Sequence, residues 1–101
     1  MALKITEHIE QNLDKDLTSQ LLCKIFFISR TKLYQISIDA YGKGISQYIL
    51  FKRIEKAKQL LKNNYTVAQT AKETGFSDPN YFSKVFKKEV GILASEYKRT
   101  N

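Results

Sequence analysis

Apolar residues recur along this chain at intervals of three and four, which is the period of an amphipathic α-helix. The longest such stretch covers residues 45–63 and contains no helix breaker. Its repeating apolar positions are Leu50, Ile54, Ala57 and Leu61. At 1.5 Å per residue this helix would be roughly 28 Å long. No stretch alternates as a strand does, so the pattern predicts an all-α fold.

Residues that cap or stop helices divide the chain into about seven helices. Ser, Thr and Asp side chains accept hydrogen bonds from the free N–H groups at a helix start, and Gly is common just after a helix end. The expected caps are Thr18 or Ser19, Ser29, Thr66, and Ser77 or Asp78. The predicted helices cover about residues 3–13, 19–26, 30–41, 45–63, 67–74, 78–90 and 94–99.

The chain contains a weak internal duplication. Leu33 and Gly42 match Phe82 and Gly91 at one interval of 49 residues. Thr18 begins one helix pair as Thr66 begins the other. A pair of helices joined by a short turn is thus present twice, which is the pattern of two helix-turn-helix motifs. The first repeat covers about residues 3–42 and the second about 66–99, with helix 45–63 as the linker.

The second repeat has the clearer turn signature. Ala71 is small where two helices must cross closely, and Gly75 follows where the turn needs a positive φ. Phe76 is expected to fill the core beside this turn.

The second helix of each repeat has an apolar face and a polar face. In the sixth helix Phe82, Val85 and Phe86 form the apolar stripe, and in the third helix the inward positions are Leu33, Ile36 and Ala40. The opposite faces carry Asn80, Lys84 and Lys87, and Thr31 and Gln35. Asn and Gln can pair with adenine and Lys with guanine, so both faces could read base edges. An ordinary solvated helix face is the simpler alternative for either helix alone.

Charge supports a nucleic-acid partner. Residues 1–40 carry five basic and five acidic groups, whereas residues 41–101 carry twelve basic and five acidic groups, so the whole net charge of +7 lies in the later part. A basic surface attracts nucleic acid or anionic lipid. The chain has no long apolar run and no basic-then-apolar leader, so we expect a cytoplasmic protein that neither spans a membrane nor is exported.

Catalytic residues are not evident. His8 is the sole histidine and lies on the first amphipathic helix, where a partly exposed structural role is expected. Cys23 is the sole cysteine and is interpreted as a small buried residue. The sequence shows no carboxylate pair, metal-ligand cluster or glycine-rich phosphate loop, so we predict no enzyme activity, cofactor or metal.

The run from Ala71 to Gly91, with its spaced Gly-Phe, Tyr-Phe and Phe-Lys pairs, resembles the signature of the AraC/XylS family of bacterial transcription regulators. The tail at residues 95–98 is similar too, as is the linker pattern Gly42, Tyr48, Arg53, Ala57, Leu60 and Leu61. The match covers nearly all 101 residues. It implies seven helices, with two helix-turn-helix units joined by the long fourth helix, and two readers in adjacent major-groove segments.

The resemblance, taken with the helix faces, implies which residues read bases and which bind phosphates. The expected base-reading residues are Arg30, Thr31, Tyr34, Gln35, Asn80, Tyr81 and Lys84. The expected phosphate-binding residues are Lys43, Ser46, Gln47, Lys87 and Lys88. Pro79 occupies a common reader position and has no hydrogen-bond donor, so apolar contact with a thymine methyl is expected there.

Departures from the family pattern are concentrated in the first repeat. Ser37 and Ile38 replace a usual Phe-Lys pair, and Phe27 occupies a turn position often held by Gly. The lost Phe removes apolar packing behind the third helix, which Phe26 and Phe27 are interpreted as restoring. The lost Lys removes an expected phosphate contact. We therefore expect more base reading from the sixth helix than from the third.

The predicted function is sequence-specific binding of double-stranded DNA by a transcription regulator. Activation is the commoner role in the family, and RNA polymerase is the expected protein partner. We expect the chain to be a fragment of a regulator whose N-terminal sensor or dimerisation domain lies outside it. A helix-turn-helix module that binds a partner protein, and a non-specific DNA-binding protein, are the alternatives.

Overall fold

The computed structural model describes residues 1–99, which contain seven α-helices and no strand. The helices are α1 (Ala2–Gln11), α2 (Ser19–Phe26), α3 (Arg30–Tyr41), α4 (Ile45–Lys62), α5 (Val67–Glu73), α6 (Pro79–Val90) and α7 (Ala94–Arg99). The predicted all-α fold of about seven helices is confirmed. Helix α1 ends two residues earlier than predicted, and α4 and α5 each end one residue earlier than predicted.

Local hydrogen bonds explain why the helix starts could be predicted. The Thr18 and Ser29 hydroxyls each accept a hydrogen bond from a backbone N–H three residues later, at 3.1 Å. Thr66 makes a reciprocal capping box with Gln69, and the Asp78 carboxylate accepts from the Asn80 N–H. These caps satisfy N–H groups that the first turn of a helix leaves without a partner.

The chain forms two compact units that divide within α4. The N-terminal unit is Met1–Lys52, and the C-terminal unit runs from Arg53 onward. The core of the N-terminal unit consists of Ile5, Ile9, Leu13, Leu17, Leu22, Leu33, Ile45 and Ile49. The buried apolar side chains of the C-terminal unit are Ile54, Ala57, Leu61, Ala71, Phe76, Phe82, Phe86 and Ala94. Leu50, expected on the buried stripe of α4, is only half-buried.

Polar contacts join α1 to α3 and α4 within the N-terminal unit, and an aromatic stack joins α3 to α4. The Thr6 hydroxyl lies 2.5 Å from the Tyr41 hydroxyl, and the Glu10 carboxylate pairs with the Lys52 ammonium at 3.2 Å. The Tyr41 and Tyr48 rings stack with centroids 3.6 Å apart. Burial raises the pKa of Tyr48 above its ordinary value.

Ser37, not Ala40, completes the inner face of α3. Ser37 is fully buried, whereas Ala40 is exposed, so the predicted inward position of Ala40 is wrong. The Ser37 hydroxyl can occupy this interior because it donates a hydrogen bond to the Lys43 carbonyl oxygen at 2.6 Å. Ile36 is half-buried and packs against the core as expected.

The turns between paired helices differ between the two repeats. Gly75 has a φ of +82°, so its predicted positive φ is confirmed, and Phe76 beside it is buried. At the corresponding turn of the first repeat, Phe27 takes a φ of +55° and is 94% exposed. Phe27 therefore does not restore the core, contrary to our interpretation. Phe26 does pack there, with its ring edge-on to His8 at 5.7 Å.

Replacing Phe27 with asparagine should stabilise the protein. A non-glycine residue in the left-handed region costs about 1–3 kcal/mol, and Asn tolerates that region better than a bulky side chain. The exposed ring gives up little packing when it is removed. We expect the free energy of unfolding to rise by about 1 kcal/mol, at the low end of that range. Urea denaturation measures it, with Phe27→Ala as a control that leaves stability nearly unchanged; a less stable Phe27→Asn protein would contradict the expectation.

Candidate DNA interface

Helix α6 presents the predicted reading face of the second repeat to solvent. Asp78 caps the helix and Pro79 occupies its first turn, where no hydrogen bond is lost because the N–H would be free. Phe82 and Phe86 are fully buried and fix the rotation of the helix about its axis. The side chains expected to contact DNA from this helix are all exposed, namely Asn80, Tyr81, Lys84, Lys87 and Lys88.

Three lysines give the exposed side of α6 its positive charge. Lys84, Lys87 and Lys88 line one shallow groove of the C-terminal unit together with Ser83 and Leu93. Within residues 1–99 none of the three ammonium groups pairs with a carboxylate, whereas Lys52 and Lys58 do. Ammonium groups that remain solvated and unpaired are available to replace the counterions of a phosphate backbone.

Tyr81 lies at the edge of this face. Its ring is 57% exposed, and its centroid lies 6.0 Å from that of the buried Phe76 ring. The Asn80 N–H is taken by the Asp78 carboxylate, which holds the first turn of α6 in place. The Asn80 side chain is exposed and can offer both an acceptor and two donors to a base edge.

Helix α3 carries the corresponding face of the first repeat. The Ser29 cap begins the helix, and Leu33 and Ser37 form its buried side. The four predicted readers are exposed, namely Arg30, Thr31, Tyr34 and Gln35. The Gln35 amide donates a hydrogen bond to the Asp39 carboxylate at 3.2 Å. To contact a base, Gln35 would have to break this hydrogen bond or use its side-chain carbonyl oxygen instead.

A groove at the junction of α3 and α4 brings predicted readers and phosphate ligands together. Tyr34 of α3 and Lys43, Ser46 and Gln47 line it. Ser46 and Gln47 belong to the first turn of α4, whose backbone N–H groups have no partner within the helix and favour anions. Ser19 at the start of α2 lines the same groove, and sequence patterns had not indicated it.

Lys43 is held above an aromatic ring. Its ammonium nitrogen lies 4.5 Å from the centroid of the Phe51 ring, a cation–π distance. Phe51 is 47% exposed, one helical turn after Gln47. Phe51 was not among the expected site residues, because an exposed Phe on a helix has no distinguishing sequence signal. Its contact with the Lys43 ammonium is seen only in the structure.

The described residues contain neither a candidate metal site nor a membrane-spanning helix. No group of His, Cys, Asp and Glu side chains suited to a metal ion occurs within residues 1–99. Over the same residues, no helix has both the length and the apolarity that crossing a membrane requires. Cys23 packs against the core but is half-buried, less buried than expected, whereas His8 is partly exposed beside Phe26 as expected.

Comparisons with known proteins identify relatives and structural neighbours. A family model described as a helix-turn-helix domain matches residues 22–100. The chain is 36% identical over 93 residues to an uncharacterised HTH-type transcriptional regulator of Pseudoalteromonas carrageenovora, covering 92% of this chain and 55% of that protein. The chain spans about half or less of the first curated relatives it matches.

Solved structures share the fold closely. The C-terminal domain of the two-component response regulator yesN from Fusobacterium nucleatum superimposes with a TM-score of 0.85 and 31% identity, covering 93% of each chain. The DNA-binding domain of AdpA, solved in complex with a target DNA, has a TM-score of 0.90 at 19% identity, covering 98% of this chain and 90% of that one. The latter likeness concerns the fold alone. Since the family model covers most of the chain, this chain belongs to the AraC-type helix-turn-helix family of DNA-binding domains.

Proposed function

We propose that this chain binds double-stranded DNA sequence-specifically as the DNA-binding domain of a transcription regulator. The observation that carries the proposal is the division of α6 into two sides. Phe82 and Phe86 are fully buried, while Asn80 and Lys84 are exposed on the opposite side. Asn and Lys are residue types that recognise adenine and guanine edges in the major groove.

The residues proposed to contact DNA have one of two roles. We assign base reading to Arg30, Thr31, Tyr34, Gln35, Asn80, Tyr81 and Lys84. We assign phosphate contacts to Lys43, Ser46, Gln47, Lys87 and Lys88. The exposure of the base-reading set and the clustering of Lys43, Ser46 and Gln47 in one groove support these assignments. Phosphate contacts position a protein on the duplex, whereas base contacts provide its specificity.

The duplication suggests that a single chain reads two half-sites. Each repeat contains a capped second helix whose polar face is exposed. Major-groove segments on one face of a duplex recur about every 10–10.5 base pairs. We therefore propose that the two repeats contact adjacent major-groove segments, and that selected sites contain two short motifs about one turn apart.

The family, and the fraction of its relatives' length that the chain covers, support proposals about the complete regulator. Because the chain spans about half or less of those relatives, we propose an N-terminal sensor or dimerisation domain in the complete protein. We also propose a cytoplasmic activator that contacts RNA polymerase. The family and the fold are those of DNA-binding regulators, so we assign no catalytic role or cofactor.

Selection of binding sites from random duplexes tests the proposed function. The 101-residue protein is expected to enrich a defined motif and to bind it in the presence of excess bulk DNA. A non-specific DNA-binding protein would retard all duplexes and enrich none. A protein-interaction module would show little salt-dependent retardation of any duplex, and either result would overturn the proposal.

Lys87→Ala should weaken binding to all duplexes by the same factor. One lost phosphate contact lowers the magnitude of the slope of log K against log[salt] by about 0.9. Titrations of a random duplex at several salt concentrations measure this slope. Lys4→Ala is the matched control, because Lys4 is also exposed but lies on α1, outside the paired helices. Equal slopes for the two variants would remove Lys87 from the phosphate-binding set.

A further inference from the structure

The internal duplication extends beyond the paired helices into the helix that follows them. Gly42 and Gly91 both end a helix with a positive φ, of +73° and +96°. Three residues later α4 begins at the buried Ile45 and α7 at the buried Ala94. The interval of 49 that matches Gly42 to Gly91 therefore continues, and the two sequences after each glycine can be compared position by position.

One difference between the repeats concerns the residue behind the second helix. Ser37 of α3 corresponds to Phe86 of α6, and both are fully buried. Phe86 packs against the Phe82 and Tyr97 rings, with centroids 5.7 and 5.6 Å away. Ser37 cannot make such contacts, and its hydroxyl instead donates to the Lys43 carbonyl oxygen at 2.6 Å.

A second difference concerns the loop that Ser37 contacts. Lys43 corresponds to Ile92, so only the first repeat carries a cation at this loop position. The first repeat therefore differs from the second in two ways: Ser37 replaces the buried aromatic residue, and its loop carries the predicted phosphate ligand Lys43. A buried hydroxyl must find an acceptor, and a short hydrogen bond to this carbonyl fixes the backbone of Lys43.

Lys43 is consequently restrained at both ends. The Ser37 hydroxyl holds its carbonyl group, and the Phe51 ring lies 4.5 Å from its ammonium nitrogen. A free lysine side chain loses conformational entropy when it is immobilised. If the loop and the ammonium are already restrained in the free protein, less conformational entropy is lost when Lys43 binds a phosphate. Lys43 also lines the groove that contains Ser46 and Gln47.

We propose that Ser37 is the positioning residue for the phosphate contact of Lys43. This inference rests on the proposed function, since it requires that Lys43 contact a DNA phosphate. Ser37 does not touch DNA, because it is fully buried. It acts through the backbone of Lys43, and Phe51 holds the ammonium end of the same side chain.

A double-mutant cycle on the 101-residue protein tests this proposal. Lys43→Ala should lower the magnitude of the salt slope on a random duplex by about 0.9. Between 50 and 200 mM salt this corresponds to a roughly three- to fourfold smaller loss of affinity. Ser37→Ala should reproduce most of the change, and Ser37→Ala combined with Lys43→Ala should bind like Lys43→Ala alone.

Two further variants separate the hydroxyl from packing and stability. Ser37→Cys keeps a similar volume but has a weak donor, so it should resemble Ser37→Ala. Thr70→Val is the matched control in the C-terminal unit: Thr70 is also fully buried, and its hydroxyl donates to the Thr66 carbonyl oxygen at 2.8 Å. Its effect on DNA affinity should add independently to that of Lys43→Ala. Thermal unfolding of each variant sets a temperature at which all of them are folded.

The outcomes distinguish this inference from the proposed function. If the effects of Ser37→Ala and Lys43→Ala add, or if Ser37→Cys binds like the unmodified protein, Ser37 does not position Lys43. If Lys43→Ala leaves binding unchanged while Lys87→Ala weakens it, the inference fails and DNA binding stands. If the unmodified protein retards no duplex and enriches no motif, the proposed function itself fails.

Discussion

Phe82→Ala is expected to destabilise the protein by about 3–5 kcal/mol, the usual cost of emptying a buried phenylalanine site. Phe82 is fully buried, and its ring lies between those of Phe76 and Phe86, with centroids 5.1 and 5.7 Å away. The three rings join the turn before α6 to the body of that helix. Their packing holds α6 in the orientation that exposes Asn80 and Lys84.

The chain offers a matched control for this substitution. Phe27 is 94% exposed, so Phe27→Ala removes the same atoms without leaving a cavity. Urea denaturation followed by circular dichroism should give a large loss of stability for Phe82→Ala and almost none for Phe27→Ala. DNA binding should fall with the folded fraction of Phe82→Ala. Similar small losses for the two variants would mean that the aromatic contacts of α6 do not support the C-terminal unit.

The second large effect is expected at the base-reading face. Asn80→Ala or Lys84→Ala should weaken binding to the selected site by about 1–3 kcal/mol each, the usual contribution of a good base contact. The loss should be accompanied by relaxed specificity at one or two base pairs, because the truncated side chain no longer rejects the wrong base. Neither residue is buried, so the stability of the fold should change little.

Competition between the selected site and bulk DNA measures this effect. For Asn80→Ala and Lys84→Ala the ratio of specific to non-specific affinity should fall, whereas for Lys87→Ala it should stay constant while both affinities decrease. Lys87 is a suitable comparison because it lies on the same side of the same helix. A constant ratio for all three variants would show that α6 contacts only the backbone.

Much of the fold could be predicted because the signals that set helix ends are local. Thr18, Ser29, Thr66 and Asp78 act on N–H groups two or three residues away, so their caps follow from sequence. Gly75 adopts its positive φ for an equally local reason. The exposure of the polar residues on α3 and α6 follows from helical periodicity once the buried side is known.

The first repeat shows where this reasoning is insufficient. Helical periodicity assigned Ala40 to the inside of α3 because Ala is apolar, yet the buried position is Ser37. A hydroxyl is buried only where an acceptor is available, and its acceptor comes from a loop beyond the end of the helix. Phe27 was similarly assigned to the core because Phe is usually buried.

The helices, their caps, the duplication and the family could be predicted from the residues alone, because each depends on residues close together in the chain or on a spaced motif. Three facts required the packed structure: Phe27 is exposed, Ser37 bonds to the Lys43 carbonyl oxygen, and Phe51 lies beneath the Lys43 ammonium. These facts depend on which segments meet when the helices pack. Helical periodicity describes the direction of each side chain but not the group that it encounters there.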